Sequence, residues 1–322
     1  MSFISLLVYI PLQILFIPIA IFGAVLVGYK QLLVSKKLGI SQTAIEIING
    51  RWTMHVFGMR DDPASAKLAA ALPNTSLFGL GLCLFPLWVK SKIAGKPSMY
   101  PRKDELGEET LADLVIARTL YFDRVIERVI PQMEQFVLMG AGYDTRAYGD
   151  FQREGVAFFE IDQASVQQHK KAALQSASIH CEHVKFVSVD FDKEGVFEKL
   201  IESGFDLSKK TLFLWEGVTL YLTGKDVCRT IQDIRRRAAP GSVLLADIYA
   251  DRFMKMARSG AGKKALDYTD EGLNFGLNFA TNHEEVLSSF VKNESMSVGE
   301  TYFLAHKNKK GPYAVVVEMK CD

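Results

Sequence analysis

The first stretch of the chain is apolar without a break: residues 1–29 contain no Asp, Glu, Lys or Arg. A helix needs roughly 20 such residues to cross the hydrocarbon of a bilayer. Pro11 and Pro18 fall inside the run, and proline is tolerated in lipid-embedded helices. A cleaved signal peptide would want a basic start, a shorter apolar core and a small-residue cleavage site. The basic start is missing here and the core is too long, so residues 1–34 read as a retained anchor. Lys30, Lys36 and Lys37 follow the run directly. The positive-inside rule then places the rest of the chain in the cytoplasm. A second apolar stretch, residues 77–89, is shorter than a span requires and is followed by Lys90, Lys92 and Lys96. It reads as an interfacial or re-entrant element facing a membrane, with a buried core helix as the other reading.

Between and after these stretches the polar and apolar positions change period. Residues 41–58 read as a helix with a Ser/Thr start, and Asp61-Asp62-Pro63-Ala64 opens another, with Asp at the cap and Pro in the first turn. Residues 97–107 form a polar loop. Residues 108–130 carry the pattern of a long amphipathic helix, which Pro131 ends. Strands and helices then alternate. Strands are expected at 136–139, 157–161, 184–189, 211–215 and 242–248, with helices at 163–175, 194–202 and 225–237. This order predicts a doubly wound α/β domain with a mostly parallel sheet and helices on both faces. The tail differs: residues 297–305 and 313–319 read as two strands joined by a turn through Gly311-Pro312, so they should pair antiparallel. The organisation expected is an anchor (1–34), a helical cap and lid region with an apolar membrane-facing segment (35–134), and an α/β domain (135–322).

Composition sharpens this picture in two places. Hydrophobic residues make up 48% of the 322-residue chain and the mean hydropathy is +0.08, an excess that comes largely from the N-terminal run. The formal net charge of +1 gives no electrostatic reason to expect a nucleic-acid partner. The four cysteines, Cys83, Cys181, Cys228 and Cys321, are scattered and form no C-x-x-C pair. They indicate a reducing compartment rather than a disulfide framework or a zinc site. The cluster His180-Cys181-Glu182-His183 precedes a strand, away from the ligand-binding end of the sheet, and no metal is expected there.

The chemistry concentrates at the ends of the strands. Gly140-Ala141-Gly142 follows an apolar strand, where a glycine pair lets the backbone turn tightly and approach a ligand. Thr145 stands where a dinucleotide fingerprint would have its third glycine, which favours a ligand without a pyrophosphate. Glu160 lies about 20 residues on, where an acid accepts hydrogen bonds from ribose hydroxyls. Asp162 is close behind it, and Asp190 and Glu216 close the next two strands. Acids at three successive strand ends, in register with a glycine loop, mark a ligand site in an open α/β sheet.

The block Val137-Leu138-Met139-Gly140-Ala141-Gly142-Tyr143-Asp144-Thr145-Arg146 resembles the signature of the leucine carboxyl methyltransferase family, which includes the protein phosphatase methyltransferases. Further blocks match in order: Ser41-Gln42-Thr43-Ala44, Ala117-Arg118-Thr119-Leu120-Tyr121-Phe122-Asp123-Arg124, Phe159-Glu160-Ile161-Asp162-Gln163, Val189-Asp190-Phe191, and Trp215-Glu216-Gly217-Val218-Thr219-Leu220-Tyr221-Leu222. The resemblance runs from Gly39 to the C-terminus. It implies a Rossmann-like class I methyltransferase that uses S-adenosylmethionine, with a seven-stranded sheet ending in an antiparallel hairpin.

The resemblance also implies roles. Arg118 would pair with the methionine carboxylate of the cofactor; the other reading is a helix-surface arginine pairing with Asp123 or another acid. Gly140, Ala141 and Gly142 would lie under the cofactor, Glu160 would take the ribose, Asp190 and Phe191 would meet the adenine, and Glu216 would face the methionine end. Arg51 would line the same pocket. Two features depart from the soluble members of the family. They are the N-terminal anchor and the apolar character of residues 74–96, near where the family builds its lid. Both point to O-methylation of a small hydrophobic or lipid-like acceptor. S- or N-methylation of such an acceptor is the alternative among enzymes, and a non-catalytic membrane scaffold is the alternative outside them. A carboxylate acceptor needs no general base; a hydroxyl needs one, and His55, Tyr143 and Tyr221 are the candidates.

Overall fold

The computed structural model describes residues 3–97, 107–189, 195–258 and 272–321. The chain divides into two compact units. One comprises residues 1–100, 143–150 and 168–180; the other comprises residues 101–142, 151–167 and 181–322.

The first unit is helical. Helix α1 (Phe3–Gly28) continues through a π turn (Tyr29–Val34) and a last turn (Ser35–Leu38), and Gly39 stops it at a φ of 64°. Helix α2 (Gln42–Val56) starts where the Ser41 side chain accepts the Ala44 N–H. Helix α3 (Pro63–Ala71) starts where Asp62 accepts the Ser65 N–H. Ser41 and Asp62 each satisfy an otherwise orphaned donor of a first turn. Helix α4 runs Leu77–Ala94, capped by Ser76. It is five residues longer than the apolar run that predicted it, and therefore long and apolar enough to cross a membrane, as is the continuous helix Phe3–Leu38. The extension is possible because Lys90 and Lys92 lay their ammonium groups over the rings of Tyr9 and Trp88 and do not break the helix.

Helices α1 and α4 pack antiparallel. Rising positions on α1 meet falling positions on α4: Tyr9 with Lys90 (4.9 Å), Phe16 stacked on Phe85 (5.0 Å), and the Ala20 carbonyl accepting from Cys83 Sγ (3.3 Å). Close to the other end, a Cβ built on Gly23 would stand 2.6 Å from the Gly79 carbonyl oxygen, so only glycine allows this approach. The outer faces stay bare: Phe3, Leu15 and Phe78 are each about 70% exposed (73%, 72% and 68%).

The second unit is a seven-stranded sheet of order β3-β2-β1-β4-β5-β7-β6. The strands are β1 (Gln135–Met139), β2 (Ala157–Asp162), β3 (Val184–Ser188), β4 (Thr211–Trp215), β5 (Val243–Tyr249), β6 (Ser297–Leu304) and β7 (Ala314–Lys320). The first five are parallel; β7 runs antiparallel to β5 and β6. This is the sheet that the resemblance implies, terminal hairpin included. Strands β1, β4 and β5 are buried along their whole length, as a sheet covered on both faces requires. Helix α5 (Leu114–Val129) starts later than its pattern predicts, because Thr110 and Asp113 cap a short 3₁₀ turn ahead of it. Helix α6 (Ala164–Ser176) follows β2 and has residues in both units. Among the described residues, helices α7 (Val196–Glu202), α8 (Gly224–Arg237), α9 (Asp251–Ala257) and α10 (His283–Asn293) follow. Val227, Ile231 and Ile234 of α8 recur at helical spacing and are buried among Phe197, Phe205 and Phe213 in the core on one side of the sheet. The winding reverses between β1 and β4. In open α/β sheets the crevice at that switch point is where ligands bind.

Candidate cofactor site

Both loops at the switch point need glycine. After β1, the Gly140 and Ala141 N–H groups donate to the Ile161 carbonyl (2.8 and 2.9 Å). Gly140 has a φ of 68°, and a Cβ on it would stand 2.4 Å from Val218 Cγ2. After β4, Gly217 has a φ of 72°, and a Cβ on it would press on the Arg118 guanidinium at 3.3 Å. The third element is Asp162, at the end of β2. Its Oδ2 accepts the Gly142 N–H (2.6 Å) and its Oδ1 accepts the Gln163 N–H (2.7 Å). Asp162 thus holds the glycine turn in its left-handed path. Glu160, two residues earlier, is buried opposite Leu138 of β1. Its carbonyl accepts from Gln167 Nε2, which also donates to the Val187 carbonyl and ties β2 to β3. Asp190 and Phe191 lie outside the described residues.

Arg118 is buried and not on a helix surface, but it does pair with acids, Asp247 and Glu216. Its guanidinium is buried, with Nη1 donating to Asp247 Oδ2 (2.9 Å) and to the Tyr249 hydroxyl, and Nη2 3.2 Å from Glu216 Oε1. Glu216 also accepts from Thr119 Oγ1 (3.3 Å). Asp247 accepts the Gly217 N–H on both oxygens (2.9 and 3.1 Å), and its carbonyl accepts from Thr219 Oγ1 (2.6 Å). Burial pushes the Asp247 carboxyl up, against the pull of Arg118 and the Gly217 N–H. Burial also opposes the Arg118 charge, but Tyr249, Asp247 and Glu216 outweigh it and its pKa is raised. Tyr249 is pushed up by burial against the pull of Arg118, and Tyr221 is among the groups that raise it further.

The other half of the signature block belongs to the helical unit. Arg51 grips Asp144 with two nitrogens, both at 2.8 Å, and Arg146 Nη1 adds a third contact at 2.6 Å. Burial alone would raise the Asp144 carboxyl; Arg146 and Arg51 instead hold it well below the usual carboxylate range. Lys170 Nζ donates to the Asp144 carbonyl (2.7 Å). Thr145 Oγ1 hydrogen-bonds Ser65 Oγ (2.6 Å) and donates to Asp62 (3.1 Å), the cap of α3. Tyr143 Oη meets His169 Nδ1 at 2.7 Å. His55 Nδ1 accepts the Asp62 N–H (3.1 Å), so this nitrogen braces the turn into α3.

The structure therefore brings Arg118, Gly140, Ala141, Gly142, Glu160 and Glu216 into one unit, at the strand ends around the switch point, with Tyr221 near the Arg118 cluster. Arg51, His55 and Tyr143 lie in the other unit. Asp247 and Tyr249 were not singled out from sequence. The available signal was an acid in the middle of an otherwise apolar strand, Val243–Tyr249.

These residues suit an adenosyl cofactor with an amino-acid tail. The glycine turn brings the backbone after β1 closer to the loop after β4 than a Cβ would allow, since a Cβ on Gly140 would meet Val218. The Arg118 Nε is buried with no hydrogen-bond partner among the described residues, so the guanidinium keeps a donor available. A buried acid on β2 is the residue type that receives ribose hydroxyls.

Comparison with known proteins agrees. A protein of Mycobacteroides abscessus named as an S-adenosyl-L-methionine-dependent methyltransferase is 29% identical over 224 residues, 68% of this chain and 69% of that one. The Bacillus subtilis protein YktD, named in the same way, is 31% identical over 156 residues, 48% of this chain and 51% of that one. Magnesium protoporphyrin IX methyltransferase from Synechocystis PCC 6803, solved with bound SAH, aligns at a TM-score of 0.42 and 12% identity, covering 67% of this chain and 89% of that one. Fold, site and relatives define a Rossmann-like class I methyltransferase dependent on S-adenosylmethionine. The profile of the leucine carboxyl methyltransferase family matches residues 61–235, more than half of the chain, and the chain belongs to that family.

Proposed function

We propose that this methyltransferase works at the cytoplasmic face of a membrane and methylates an oxygen, carboxyl or hydroxyl, of a small hydrophobic or lipid-like acceptor. The observation that carries the reading is the pair of apolar helices α1 and α4, whose large side chains face outward instead of filling a core. An enzyme that presents such a surface to lipid meets an acceptor dissolved in, or delivered from, that lipid.

S-adenosylmethionine, when bound, supplies a methyl group already activated by its sulfonium. Gly140, Ala141 and Gly142 would lie under the cofactor and Glu160 would take the ribose hydroxyls. Arg118, steadied by Asp247 and Glu216, would hold the methionine carboxylate, a charge-assisted contact suited to a guanidinium. Asp190 and Phe191 would serve the adenine. The remaining task is to exclude water and to hold the acceptor oxygen in line, which is catalysis by positioning. A carboxylate acceptor is already nucleophilic. A hydroxyl acceptor needs a base, and of His55, Tyr143 and Tyr221 only Tyr221 shares a unit with the Arg118 cluster; it would serve as the phenolate. The test is incubation of membranes containing the protein with methyl-labelled cofactor, then extraction into organic solvent. Base-labile label in the organic phase supports an ester, and base-stable label supports an ether, a thioether or an amine. Label that stays in the aqueous phase contradicts an apolar acceptor.

A further inference from the structure

Contacts inside the helical unit restrict how it can meet a bilayer. Asp62 and Ser65 precede α4 in the chain, and Thr145 follows it. The three side chains hydrogen-bond one another at 2.5–3.2 Å. Groups in hydrogen-bond contact occupy the same side of a membrane. Between the end of α4 and Thr145 the sequence carries Lys96, Arg102, Lys103, Asp104, Glu105 and Glu108 before the amphipathic α5 and the buried strand β1. None of this can recross hydrocarbon, because every backbone polar group there must be satisfied internally and charges are excluded. Both ends of α4 are thus on the side that holds Thr145. The outer end of α1 shares that side, since Tyr9 is in contact with Lys90 near the end of α4.

We infer that α1 and α4 form a monotopic hairpin, which enters a single leaflet from the side of residues 35–76 and does not cross. Its partner is an anionic lipid surface. Lys30, Lys36 and Lys37 stand at one end of the pair and Lys90, Lys92 and Lys96 at the other, and no Asp or Glu occurs in residues 1–45 or 63–103. A helix pair lying in the interface needs cations at both ends to reach headgroups, whereas a crossing pair sends one end to the opposite leaflet. The apolar faces between these ends are the exposed side chains of Phe3, Leu15 and Phe78. The inference rests on the membrane location proposed above and makes the anchor of residues 1–34 part of a one-sided hairpin.

The test uses the full chain with one epitope at each terminus, in sealed vesicles of phosphatidylcholine and phosphatidylglycerol, digested by protease from outside after incorporation from outside. Both epitopes should be cleaved, while the vesicles retain α1 and α4 after a high-salt wash. Protection of the N-terminal epitope with loss of the C-terminal one would overturn the one-sided hairpin and leave the membrane location standing. Recovery of the intact chain in the salt wash would overturn both.

Discussion

Replacing Gly140 by alanine should damage the site through two separable effects. The first is conformational: Gly140 sits at a φ of 68°, where a Cβ costs an L-residue about 1–2 kcal/mol. The second is steric. The new methyl would stand 2.4 Å from Val218 Cγ2, against an optimal carbon–carbon separation of about 3.5–4.0 Å. Val218 follows Gly217, itself at a φ of 72°, and precedes the short 3₁₀ turn Thr219–Tyr221. Its backbone has little room to yield, and overpacking of this kind costs about 1–3 kcal/mol. The two sum to about 2–5 kcal/mol of lost stability, or to a shifted loop and weaker cofactor binding. Chemical denaturation in detergent reads the first and calorimetry with S-adenosylhomocysteine reads the second. Adding Val218→Ala should return the steric share and leave the conformational share, a coupling of about 1–3 kcal/mol in a double-mutant cycle. A Gly140→Ala variant with wild-type stability and affinity would refute the reasoning. So would a cycle with no coupling, which would mean that the two loops do not touch.

Other outcomes follow from the same geometry. Asp247→Ala removes a partner of buried Arg118 and both acceptors of the Gly217 N–H; breaking a buried pair costs about 3–5 kcal/mol, and denaturant midpoints would read it. Asp162→Ala frees the Gly142 N–H and should cost about 1–2 kcal/mol, with cofactor affinity falling as the turn loosens. Asp144 has a folded pKa below its unfolded value of about 3.9, so its contribution is present above that pH and is lost as pH falls through the folded value. The stability gap between wild type and Asp144→Asn should therefore be constant near neutrality and shrink below about pH 4 in a pH series of melts. Gly79→Leu should push α4 away from Gly23, where even a Cβ would meet the Gly23 carbonyl at 2.7 Å. Cross-linking between cysteines placed at Phe16 and Phe85 would drop if the hairpin opens.

The architecture was legible because its signals are local. The strand Thr211–Trp215 is flanked by turn residues and filled with β-formers, and it emerges with the bounds expected of it. The glycine turn, Glu160 and Glu216 were readable for the same reason: a strand end and its loop are adjacent in sequence. Distant partners were not. Arg118 and Asp247 are 129 residues apart, and nothing in either segment names the other. The same is true of Asp62 and Thr145, 83 residues apart. The end of α4 was placed too early because charge is read as a helix limit. Lys90 and Lys92 instead lie along aromatic rings, an arrangement that depends on α1 being alongside. The 3₁₀ start of α5 was hidden because the capping pair Thr110 and Asp113 sits inside a stretch that already has helical period.

Calorimetric titration of the full-length chain and of Glu160→Ala with S-adenosylhomocysteine bears most directly on the claim that the strand ends at the switch point grip the methyl donor. Wild type should bind with a Kd on the order of 1–10 μM, about −7 to −8 kcal/mol. The variant, without the charged acceptor for the ribose, should lose about 1.5–3 kcal/mol, a drop of roughly ten- to a hundredfold. A wild-type chain that takes up no ligand, or a folded variant that binds as tightly as wild type, would contradict the account.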